Sequence, residues 1–168
     1  MWWVVGAVAV AALLSAYLLW TASRVERLHQ RAAAAAKGLD AHLLRRAAAA
    51  AVLAEACGAM ELYAAARIAL DAGPGEREAA ENDLTRQLRA LPDGLVEDLA
   101  PASRRLAVAR QVHTDLVRDA LAARRRPVVR LFRMTRKHPA PAYFDIDDPI
   151  VTPVEIPTQA SPVETPTP

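Results

Sequence analysis

The chain has 168 residues, 53% of them hydrophobic, with 21 Lys and Arg against 19 Asp and Glu and a net charge of +2. That length leaves room for one domain of ordinary size, and the single cysteine, Cys57, excludes an intramolecular disulfide and a cysteine-cluster metal site. All the basic residues fall between Arg24 and Lys137, whereas Asp145, Asp147, Asp148, Glu155 and Glu164 make the C-terminal stretch acidic. Arginine and alanine dominate in a way that a GC-rich genome also produces, so alanine content is not read as a functional signal.

Residues 1–20, MWWVVGAVAVAALLSAYLLW, contain no charged side chain and are followed by Arg24, Glu26, Arg27 and Arg31. A helix of this length spans ~30 Å, the hydrocarbon thickness of a bilayer. Trp2, Trp3, Tyr17 and Trp20 lie near its ends, where aromatic rings favour the water interfaces. A cleaved signal peptide would instead have a basic start, a shorter apolar run and small residues at the cleavage point, and Thr21-Ala22-Ser23 is a poor match. The stretch predicts a retained, single-pass anchor in the plasma membrane. Because Arg24, Arg27, Arg31 and Lys37 follow it, the excess of basic residues on cytoplasmic flanks puts the N-terminus outside and the body in the cytoplasm.

From Val25 apolar residues recur in steps of three and four through Leu28, Ala32, Ala36, Leu39, Leu43, Ala47, Ala50, Ala54, Cys57, Met60, Ala64 and Ile68. This is one stripe of a helix expected to run unbroken from Thr21 to Ala72, with a soluble part ~75 Å long. On that stripe Cys57 reads as a small core residue. The alanine lining buries little area but lets a partner helix approach closely. That partner can come from the same chain or a second copy, so homo-oligomerisation stays open.

Gly73-Pro74-Gly75 ends this helix. A second begins with Glu76, Glu78 and Glu81, suited to the positive end of a helix dipole, and finishes with Arg86 and Arg89; its stripe is Ala80, Leu84, Leu88 and Leu91. After the Pro92-Asp93-Gly94 turn, a third helix is expected from about Leu95 to Arg126. Leu106, Ala109, Val112, His113, Leu116, Ala120 and Ala123 share one face of it, and Pro101 either kinks it or opens a separate piece. Pro127 permits one more short helix from Val128 to Arg136. From about Asp147 to Pro168 a Pro, Thr, Val and Glu theme cannot form a packed core and predicts disorder. Tyr143 and Phe144, just ahead of it, are expected to dock back onto the bundle.

Few residues suggest chemistry. His113, Asp115 and Asp119 form the nearest thing to an acid–base cluster, but His113 and Asp115 are two positions apart on a helix and diverge. Interhelical salt bridging fits the two aspartates better than catalysis. His29, His42, His113 and His138 lack metal-ligand spacing. Asp145-Ile146-Asp147-Asp148 lacks the glycine and closing acid of a calcium loop. With no phosphate-binding glycine loop and no nucleophile elbow, the sequence predicts no enzyme, no cofactor and no metal.

Three stretches, in order, resemble the LemA family of membrane-anchored bacterial helical proteins. RVERLHQR and LDAHLLRR, at Arg24–Arg31 and Leu39–Arg46, resemble its opening helix. LVEDL and RRLAVARQVHTDLVRD, between Leu95 and Asp119, resemble its long C-terminal helix. Pro127, VVRLF at Val128–Phe132 and Tyr143-Phe144-Asp145 resemble its closing segment. The chain departs from the family at His113-Thr114, where a tyrosine–asparagine pair is usual, and at Pro101, which falls in a segment the family keeps helical. The resemblance implies an antiparallel bundle of about four helices, an external N-terminus and a cytoplasmic body, and it implies no reaction.

The expected fold is therefore all-α. Residues 1–20 form a transmembrane anchor that continues into a bundle of three long helices and one short helix over 21–146, followed by a disordered tail over 147–168. Arg124, Arg125, Arg126, Arg130, Arg133, Arg136 and Lys137 run without an intervening acid, interleaved with Val128, Val129, Leu131, Phe132 and Met134; the run reads first as a solvated or internally neutralised surface and otherwise as a candidate contact for an anionic partner. Two functions follow: a noncatalytic scaffold binding protein partners at the cytoplasmic face, or a membrane-organising module that holds anionic lipid through residues 124–137. Nucleic acid is not expected, because the segment lacks a docking motif and offers one aromatic for stacking. Whether the third helix returns to the membrane, and so carries this segment there, is open from sequence.

Overall fold

The computed structural model describes residues 1–136 and 139–149, whose regular structure is all helical, with no strand among them. Helix α1 runs from Trp2 to Cys57, α2 from Met60 to Asp71, α3 from Arg77 to Arg89, α4 from Asp93 to Val96, α5 from Ala100 to Arg125 and α6 from Pro127 to Leu131. A single 3-10 turn, Glu97–Leu99, links α4 to α5.

The first helix does not continue to Ala72. It stops at Gly58, which takes a left-handed conformation with φ of 69° while the Ala59 amide donates to the Ala54 carbonyl at 2.9 Å. Glycine reaches this region without the clash that a Cβ imposes. The space around Gly58 is open, so the backbone angle rather than crowding selects the residue. With only Gly58 and Ala59 between them, α1 and α2 form an antiparallel hairpin, and the buried stripe changes register. Before the turn it is Ala47, Ala50 and Ala54; after it, Leu62, Ala65, Ala66 and Ala69. Met60 and Ile68, which continue the α1 spacing, are consequently exposed, and so is Cys57.

Helix α3 then runs alongside α1 in the same direction. Its first residue, Arg77, pairs with Asp40 at 3.3 Å, and one turn later Glu81 pairs with Arg46. Leu84 and Leu88 complete the largest apolar cluster together with Val96 and Leu99. Pro101 lies in the first turn of α5, where its missing N–H is harmless, so the third predicted helix is split into α4, the 3-10 turn and α5. Helix α5 returns antiparallel to α1: Leu106 packs with Leu39 and Leu43, whereas Ala123 at its other end packs with Val25.

A strap, residues 139–149, lies across the bundle. Ile146, 5% exposed, fills the cluster of Leu39, Leu43 and Leu106, with Phe144 partly buried beside it. Tyr143 was expected to dock with Phe144 but stays half exposed. The docked segment extends past residue 146 to the buried Pro149. The rest of the Pro-rich tail, like Lys137 and His138, lies outside the described residues.

Residues 2–20 have no comparable cover. Trp2 is 93% exposed, Leu13 71% and Leu19 72%. Over this stretch α1 is long and apolar enough to cross a membrane.

Candidate functional site

The return of α5 decides where the basic segment sits. Val25, Ala123 and Val129 form a small cluster with Leu28 and Met134 at its edge, so the α5–α6 corner rests on the turns of α1 that follow the apolar stretch. Burial on α1 begins there: Leu18 is half-buried and Thr21 is buried. Arg126 is extended, with ψ of 134°, as a residue before proline prefers. Pro127 then opens α6, and Val129 turns inward while its basic neighbours turn out.

Arg125, Arg126, Arg130, Arg133 and Arg136 are exposed, together with Leu131 and Phe132. None of the five pairs with a carboxylate among the described residues. Arg124 differs from them. Its Nη1 reaches His29 Nε2 at 3.1 Å and the Pro139 carbonyl at 3.5 Å, and His29 Nδ1 lies 2.9 Å from the Val25 carbonyl. A guanidinium only donates and a carbonyl only accepts, so this arrangement requires His29 to carry its proton on Nδ1 and accept at Nε2. Arg124 thus ties α5 and the strap to α1.

A second polar group is buried further along the bundle. Arg46 and Glu81, both fully buried, meet at 3.2 Å, and the Arg46 Nη1 and Nη2 groups each donate to Thr85 Oγ1 at 3.0 Å. Thr85 in turn donates to the Glu81 carbonyl at 2.8 Å. Arg46 Nε and Glu81 Oε1 have no partner. Burial pushes the Glu81 carboxyl up to about 7 against the opposing pull of Arg46, and burial also lowers Arg46. The sequence assigns Glu81 to the acidic start of a helix, where it suits the dipole, and Arg46 to the LDAHLLRR stretch, without pairing the two. The signal was present as spacing, since Arg46 follows Leu39 and Leu43 on the buried stripe and Glu81 precedes Leu84 and Leu88 on theirs.

The other candidate groups do not converge. His113 is buried with Nδ1 unpartnered, and burial lowers its pKa. Asp115 points outward to Arg118 at 3.1 Å and Gln111 at 3.2 Å, all within α5, which replaces the interhelical bridge expected for it. Asp119 is exposed. In the acidic strap it is the backbone that is held: the Asp145 amide donates to Glu78 Oε1 and the Asp147 amide to Asn82 Oδ1, while Arg110 and Arg89 donate to the carbonyls of Ile146 and Asp148. Among the described residues no three metal-ligating side chains gather. An open groove of about 550 Å³ lies between α1, α3, α5 and the strap, bordered by Lys37, Asp40, Arg77, His113 and Tyr143.

Comparison with protein-family models, curated proteins and solved structures gives no match for this chain.

Proposed function

We propose that this is a membrane-anchored, noncatalytic helical bundle of the LemA type, acting as an interaction platform on the cytoplasmic face. The observation that carries the reading is the continuity of α1. An apolar stretch of 19 residues, uncovered except at Leu18, passes without a break into the helix on which the bundle is assembled. Lipid supplies the cover that the chain itself does not. The soluble part of α1 then holds the α1–α2 turn ~55 Å from the bilayer, where Val52, Met60 and Ile68 present exposed apolar side chains to protein partners. The scatter of His113, Asp115 and Asp119, with Asp115 engaged by its own helix, supports a binding role over a catalytic one.

Cys57 supplies the test without a substitution, because it is the sole thiol and is exposed at the far end of α1. In cells, the protein should stay in the membrane fraction through a carbonate wash. Cys57 should react with an impermeant maleimide only after permeabilisation. Release by carbonate would refute the anchor, and labelling of intact cells would place the platform on the opposite side. A turnover abolished by Asp115→Asn would refute the noncatalytic reading.

A further inference from the structure

We infer that the α5–α6 corner is a lipid-reading collar, in which Arg125, Arg126, Arg130, Arg133 and Arg136 engage the headgroups of anionic phospholipid around the emerging helix. This deepens the proposed function and rests on its anchoring of residues 2–20. The argument is positional. Helix α5 could have ended at either end of the bundle, and it ends where Ala123 and Val129 pack on Val25. Val25 lies five residues after Trp20, ~8 Å along the helix axis, which matches the ~8 Å over which physiological salt screens charge. The half-burial of Leu18 and the burial of Thr21 place packed chain at the boundary itself.

The chemistry of the corner matches one partner. Its exposed guanidiniums lack carboxylate partners among the described residues, and each presents the planar donor fork that binds phosphate oxygens in pairs. Leu131 is 76% exposed and Phe132 54%, and both belong to the same corner as the arginines. Apolar groups interleaved with basic ones suit the boundary between headgroups and acyl chains, and a purely solvated basic surface gains nothing from them. Arg24, stacked 5.6 Å from the Trp20 ring, adds charge from α1 at the same level. Arg124 stays out of the collar, since its link to His29 and Pro139 fixes the corner to α1.

The test uses the full chain in nanodiscs of phosphatidylcholine alone or mixed equally with phosphatidylglycerol. An environment-sensitive fluorophore is attached to Phe132→Cys in a Cys57→Ser background. All three tryptophans lie in residues 1–20, so their quenching by brominated acyl chains reports the anchor independently. The collar predicts blue-shifted emission in the anionic discs, reversed by high salt, and aqueous emission in the neutral ones. The ratio of docked to undocked corner should fall about fivefold for each arginine removed in the series Arg126→Gln, Arg130→Gln and Arg133→Gln. Arg104→Gln with Arg105→Gln, exposed residues near the other end of α5, should leave it unchanged. Quenched tryptophans with an aqueous label in both discs would overturn the collar and leave the anchor standing. Equal blue shifts in both would overturn headgroup recognition, and unquenched tryptophans would overturn anchor and collar together.

Discussion

The two halves of α1 beyond Trp20 are covered in different ways. The far half, from Arg46 to Ala54, packs against α2, α3 and the 3-10 turn in one continuous cluster whose leucines and alanines are almost wholly buried. The near half, from Thr21 to Leu43, meets α5, α6 and the strap through two small clusters, with Ala32, Val117, Ala120, His29 and His113 also buried along this stretch. Apolar burial contributes in proportion to area, and the halves differ in kind: the far half buries mostly alanine with Leu62, Leu84, Leu88 and Leu99, the near half larger side chains such as Val25, Leu39, Leu43, Leu106, Val117, Val129 and Ile146. The far half also buries the charged Arg46–Glu81 pair, whereas the near half buries the neutral side chains of Thr21 and His113 and positions the basic corner.

Breaking the buried pair should give the largest effect. Arg46→Met leaves Glu81 buried without its cation and should lower unfolding stability by about 3–5 kcal/mol in thermal or urea melts. Adding Glu81→Leu should restore most of the loss. A double variant as unstable as the single one would mean that the pair is not what holds α3 to α1.

Truncations sharpen the contrast between the halves. Leu88→Ala should cost about 3 kcal/mol and lower the global melt. Val129→Ala should cost about 1.5 kcal/mol and, by hydrogen exchange, loosen the α5–α6 corner while α2 and α3 stay protected.

The two halves should also respond to pH in opposite senses. Glu81 titrates near 7 when folded against an ordinary 4.5, so the folded state binds the extra proton, and its contribution is full below 4.5 and fades as pH rises to 7. His113 is lowered from 6.5, so the unfolded state binds the extra proton, and its contribution is lost as pH falls below 6.5. Melts across this range should therefore tilt toward higher stability at high pH in Glu81→Gln and the other way in His113→Asn. Identical profiles for both variants would contradict the assignment. The smallest effect is at the turn, where Gly58→Ala must accept φ of 69° and should cost about 1 kcal/mol without changing the buried surface.

Much of this fold was legible as periodicity. Ala32, Leu39, Leu43, Ala47, Ala50 and Ala54 are buried as their spacing requires, and Ala80, Leu84 and Leu88 likewise. What spacing hid was the reversal at Gly58, because Met60, Ala64 and Ile68 prolong the α1 rhythm by coincidence while the true inward set is shifted. A lone glycine in an alanine-rich helix gives the same local signal whether it is tolerated inside the helix or caps it. The place of the basic corner, beside the end of the apolar stretch, was hidden for a different reason. The direction of α5 follows from long-range packing of Ala123 and Val129 on Val25, which no local pattern encodes. Ile146, the strap's anchor, was overshadowed by the larger Tyr143 and Phe144, since fit to the space between Leu39, Leu43 and Leu106 counted for more than aromatic size.

The central claim is that α5 returns to the point where α1 emerges from its apolar stretch. The most direct measurement is a spin-label distance in the full chain held in nanodiscs, between exposed Gln30→Cys and exposed Arg125→Cys in a Cys57→Ser background. The account predicts a single short distance, on the order of 20 Å once label linkers are included, since these residues flank the His29–Arg124 contact on neighbouring helices packed 8–10 Å apart. A helix of 26 residues pointing the other way would carry Arg125 ~39 Å further along the axis. A distance in that longer range would contradict the fold, and with it the collar.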